Sequence, residues 1–124
     1  MGKSFYVSTA QEYDPATEGP EIWDRSQNTS YMFCEQIASL AKMLKTPSGV
    51  CDTGVDVVYI NPPVLRAFIL AAFDFLSRSN SLPLRRMLVG VLQVALVLDA
   101  RANGEAVPIP RGFEDIEEGL DDIS

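Results

Sequence analysis

The sequence predicts an α+β domain, mainly α: an antiparallel helix pair, a third helix and a small two-stranded β element. Three observations predict it. Residues 62–78 and 83–102 carry apolar side chains at i, i+3, i+4 and i+7, the rhythm of a helix face. Residues 30–45 repeat that rhythm less heavily. Two short segments, Ser4–Val7 and Val55–Ile60, are rich in aromatic and β-branched residues, as strands are. A chain of 124 residues, 47 % hydrophobic, is one domain's worth and can bury a core. Composition divides it into a globular part over residues 1–110 and an acidic segment over 111–124.

Residues 1–27 combine the first strand with turn chemistry at Asp14-Pro15 and Gly19-Pro20. Ile22 and Trp23 follow, amid Glu12, Asp14, Glu18, Glu21 and Asp24. Trp23 is either pinned to the core or an interface anchor. Asn28, Thr29 or Ser30 can cap the first helix, whose stripe is Phe33, Ile37, Leu40, Ala41 and Leu44. Pro47 and Gly49 end it. Residues 48–60 read as a loop and one strand, expected to pair with Phe5–Val7 because a lone strand leaves its backbone groups unpaired.

Asn61-Pro62-Pro63 is a helix start, with a capping asparagine and prolines where a missing N–H costs nothing. Leu65, Phe68, Ile69, Ala72, Phe73 and Leu76 follow. Ser81-Leu82-Pro83 starts the next helix, whose stripe is Leu84, Met87, Leu88, Val91, Ala95 and Leu98. Both are apolar nearly all round, which predicts central, buried helices. Gly90 costs about 1 kcal/mol relative to alanine in mid-helix; a close helix–helix contact would rationalise it. Asn103-Gly104 signals a left-handed cap. The short linker around residues 79–82 makes the pair antiparallel.

Charge is segregated. The net value is −7. Residues 61–104 hold five arginines against Asp74 and Asp99, a balance of +3, while residues 1–60 carry −4 and 105–124 carry −6. Such an acidic chain is repelled by nucleic-acid phosphates and anionic lipid. The longest charge-free apolar run, Met87–Leu98, falls short of the roughly 20 residues a bilayer span needs. No apolar leader follows Met1, so a cytoplasmic location is expected. Histidine is absent, which removes the commonest general base and transition-metal ligand. No catalytic residue, metal site or cofactor is expected.

Asp52-Thr53-Gly54 matches the aspartic-protease tripeptide, but the strands of a protease barrel are missing. It reads as a turn in which Asp52 bonds its own backbone and Gly54 supplies a positive φ. Cys34 and Cys51 read as reduced thiols without an activating base. Arg78, Arg85 and Arg86 form a basic patch of a kind that binds phosphate, but the better reading is pairing with the chain's own carboxylates, the tail's among them. The tail carries Glu114, Asp115, Glu117, Glu118, Asp121 and Asp122, with Ile116, Leu120 and Ile123 interleaved. A solvated tail is the ordinary reading of such a run. The apolar residues favour docking, with charge steering the encounter.

The Trp23-Asp24 arm, the Pro47-Ser48-Gly49 loop and the runs Ile60–Phe68 and Asn80–Gly104 resemble small bacterial families and, more generally, immunity proteins of toxin–immunity systems. The resemblance implies a helical fold and a small, acidic, catalytically empty protein that binds one cognate toxin. The expected function is therefore inhibition of a basic bacterial toxin domain by occlusion of its active site. The expected contacts are Glu18, Glu21, Trp23, Asp24, Glu114, Asp115, Glu117, Glu118, Asp121 and Asp122. The alternatives are a scaffold subunit dimerising through its helices and a carboxylate-based enzyme using Asp74 and Asp99.

Overall fold

The structure, a computed structural model, describes residues 2–8, 18–54 and 56–123. The elements run β1 (Gly2–Ser8), β2 (Glu18–Ser26), α1 (Gln27–Leu44), β3 (Val50–Asp52), β4 (Val57–Ile60), α2 (Pro62–Ser77), α3 (Leu82–Asn103) and α4 (Glu114–Glu118), with a 3-10 turn at Leu120–Asp122. The α+β class holds, but the sheet has four strands rather than two, in the order β2-β1-β4-β3.

The expected pairing of the two aromatic, β-branched segments is present: β1 and β4 run parallel, with Phe5 opposite Val58 and Val7 opposite Ile60. The other two strands complete the ladders on either side. β2 pairs antiparallel with β1, and β3 pairs antiparallel with β4. Gly19-Pro20, expected as a turn, lies within β2. Proline is tolerated there because β2 is an edge strand, with one row of backbone groups outside the ladder. The Asp14-Pro15 turn lies outside the described residues.

Helix boundaries follow capping chemistry. α1 begins earlier than expected, because Ser26 rather than residues 28–30 caps it, accepting a hydrogen bond from the Thr29 N–H at 3.4 Å. Asn61 precedes α2, but its side chain makes no capping bond. The next two residues are prolines with no N–H to offer. Its backbone carbonyl accepts from Leu65 instead. Ser81 caps α3, and Gly104 closes it at φ 79°, the expected left-handed residue. The Arg78–Ser81 linker turns α3 back along α2, so that Asn103 reaches the Pro62 carbonyl. The Asp52 turn also forms as expected: its Oδ1 accepts from the Gly54 N–H, with φ 82° at Gly54.

The core lies between the sheet and the helices. Phe5, Val58 and Ile60 face Phe33 and Ile37 of α1, Leu65, Phe68 and Ile69 of α2, and Leu92, Ala95 and Leu98 of α3. Phe113 and Ile116 extend it into the C-terminal segment. Burying each such side chain contributes about 1.5–3 kcal/mol before the entropy of ordering is counted.

Candidate interaction surfaces

The acidic residues expected at a partner interface come from two segments distant in sequence. Glu21 and Asp24 are exposed on β2, and Glu18 begins that strand. Glu114, Asp115, Glu117, Glu118, Asp121 and Asp122 are exposed on α4 and the turn after it. Two arginines bring the segments together. Arg101 of α3 donates to the Ile22 carbonyl on β2 at 3.0 Å and lines the same depression as Leu120. Arg25 of β2 donates to the Ile123 carbonyl at 3.3 Å. The two segments thus meet at Arg25 and Arg101.

Trp23 does not belong to this surface. It is buried, edge-on to Phe5 at 5.0 Å and to Phe33 at 6.2 Å. Its indole joins the sheet to α1, and the Arg25 guanidinium covers the ring at 5.0 Å. Of the tail's apolar residues, Leu120 and Ile123 are half-buried, whereas Ile116 is covered within the chain. Ile116 is fully buried, Gln93 of α3 donates to its carbonyl, and Phe113 packs edge-on to Phe73 at 5.0 Å. Arg85 bridges Asp115 at 2.9 Å and lies over the Phe113 ring. The Arg85 hydrogen bond holds the Asp115 carboxyl below its ordinary range. Glu114 is held low by the N–H groups of its own residue and of Gly112. The expected pairing of basic patch and tail therefore exists at Arg85, whereas Arg78 pairs with Asp74 one helical turn away.

The two aspartates considered for catalysis do not share a cleft. Asp99 is fully buried, bonded to Arg66 through both oxygens and to the Asn103 amide. Asp74 sits on the surface with Arg78. Cys34 is buried and Cys51 exposed, and both are free thiols. Burial, then the Asp52 charge, pushes the Cys34 thiol up to about 11, which keeps it protonated and unreactive at neutral pH. Among the described residues no three acids or cysteines converge as metal ligands. No helix among them is long and apolar enough to cross a membrane.

A second surface was not anticipated. The sequence predicts a buried α3, yet Met87 in its stripe is 67 % exposed; on α1, outside the expected stripe, Met32 is 51 % exposed and Met43 44 %. These three line a groove between α1 and α3 formed by two adjoining depressions of about 360 and 390 Å³. One is walled by Gln36, Ser39 and Met43 against Leu84, Met87 and Val91. The other is walled by Thr29, Met32 and Gln36 against Gly90, Val91 and Val94. Every methionine after Met1 lines this groove. Flexible thioethers on a surface suit adaptable protein contacts. That clustering, with Gly90 on the same helix, was the available sequence signal.

Residues 9–121 match DUF6086, a family of unknown function. The chain belongs to that family. No curated protein and no solved structure matches it. This DUF6086 member presents two surfaces to other molecules, the acidic one and the methionine groove.

Proposed function

We propose that this DUF6086 protein is a non-catalytic binding protein whose acidic surface engages a basic protein partner. The observation that carries the reading is that β2 and the C-terminal segment, two acid-rich stretches distant in sequence, meet at Arg25 and Arg101. Bringing two negative segments together raises self-repulsion and lowers stability. Glu117, Glu118 and Asp122 are exposed on α4 and the turn after it, and Glu21 and Asp24 on β2. A basic partner surface relieves the repulsion, and the potential steers its approach.

The finer reading is inhibition: the partner is a basic bacterial toxin domain, and the carboxylates cover the cationic site that would otherwise hold phosphate. The docked segment suits this role, because an acidic surface already ordered loses little entropy on binding. Arg85 neutralises part of the charge of the C-terminal segment by pairing with Asp115.

The test is capture from a lysate of the source cells on the immobilised full chain at low and moderate salt. A variant carrying Glu21→Gln, Asp24→Asn, Glu117→Gln, Glu118→Gln and Asp122→Asn serves as the comparison. The expected result is one stoichiometric basic partner, bound at least about tenfold more weakly by the variant and released by salt. Recovery of no such partner at either salt concentration, or equal recovery by both proteins, rules the reading out.

A further inference from the structure

We infer that the α1–α3 groove is the interface with a second copy of this chain, and that the protein is a two-fold dimer built on these four helices.

The groove has the pattern of a helix-packing seam. On α3, Met87, Gly90 and Val94 follow one another at spacings of three and four; on α1, Met32, Gln36, Ser39 and Met43 do the same. That alternation presents one continuous stripe to a neighbouring helix. The two stripes run antiparallel, since Thr29 lies beside Val94 at one end and Met43 beside Leu84 at the other. Two such pairs, face to face, make a four-helix arrangement.

Gly90 carries the argument further. It sits in the middle of α3, where glycine weakens a helix, and is exposed on the groove. A Cβ added there would meet no atom within 4 Å, so no contact within the chain calls for glycine. The close helix contact that would rationalise it is not with α2. An external helix crossing at Gly90 supplies it.

Charge identifies the occupant as another copy. A chain of net charge −7 can meet itself only through a face that holds little of that charge. Among the described residues, Glu35 is the one charged residue lining the groove. Arg86, one residue before Met87, is exposed on the facing helix. Neither has a salt-bridge partner among the described residues. In a two-fold interface a contact from i to j is repeated from j to i. Laying α1 of one copy across α3 of the other pairs Glu35 with Arg86 twice. This face is distinct from the acidic one, so a dimer still leaves two acidic surfaces open.

Sedimentation equilibrium of the full chain, across a concentration series, tests the inference. The expected species has twice the 13.6 kDa chain mass. Gly90→Glu is expected to give a monomer with unchanged helical content, because its side chain enters open space in the single chain. Glu35→Arg and Arg86→Glu are each expected to weaken the dimer about tenfold or more, and the two together to restore it. A monomer at every concentration overturns the inference, including the case in which Gly90→Glu instead releases a different protein from the groove. A dimer indifferent to all three changes overturns it as well.

Discussion

Asp99 is the most demanding single residue in the fold. A carboxylate with no exposed surface is stable only where its lone pairs are filled and its charge is opposed. Arg66 does both, through Nε at 3.3 Å and a terminal nitrogen at 2.9 Å, while Asn103 fills the remaining site on Oδ1 at 3.0 Å. Arg66 also binds the Glu105 carbonyl at 2.7 Å, so one side chain fastens the start of α2 to the end of α3 and the loop beyond it. Arg66→Met is expected to destabilise the fold, because it leaves Asp99 buried without its partner. Adding Asp99→Asn is expected to recover part of the loss, since the neutral amide keeps its shape without its charge. Urea denaturation of the single and double variants checks this. Equal loss in both would place the cost in packing rather than in the charge.

The C-terminal segment shows how a charged stretch becomes ordered. Its acids face water, while Phe113 and Ile116 fill a slot beside Phe73 and Gln93. Phe113→Ala removes a buried ring and is expected to cost about 3–5 kcal/mol, with amide hydrogen exchange over residues 114–123 rising to that of a loose chain. Unchanged protection there would mean that Ile116 and Arg85 suffice to hold the segment. The three long helices were readable because their apolar period extends over four or more turns, and the β1–β4 pair because its residues are nearly all β-branched or aromatic. β2 was hidden for a local reason. Its register against β1 shifts on both sides of the Tyr6–Glu21 pair, so apolar and polar residues do not alternate. As an edge strand it also carries acids and a proline that a central strand would reject. The order of the tail was hidden because Ile116 looks the same whether its slot lies in this chain or in a partner's. The methionine groove escaped notice because apolar residues all round a helix signal burial without saying whose atoms do the burying.

Charge and titration give the molecule a pH profile that can be worked out as a whole. Without histidine, no imidazole titrates between pH 5 and 8. Asp115 is held low by the Arg85 hydrogen bond. For Asp52, burial alone would raise the carboxyl, but the Lys3 hydrogen bond, the Gly54 N–H and the Lys3 charge together bring it below its ordinary value. A carboxyl whose value falls on folding contributes stability that is present above its unfolded value, 3.8 for both aspartates, and lost as pH drops through the folded one. Cys34 works at the other end. Its value rises on folding from 9.0 to about 11, so its contribution is full below 9.0 and lost as pH climbs towards about 11. Stability is therefore expected to be flat from about pH 5 to 8 and to fall on both sides. Denaturation midpoints across pH 3–10 measure the profile. Asp115→Asn is expected to shorten the acid limb and Cys34→Ala the alkaline limb, each leaving the other limb unchanged. A steep slope inside the plateau would reveal a shifted group among residues other than these three.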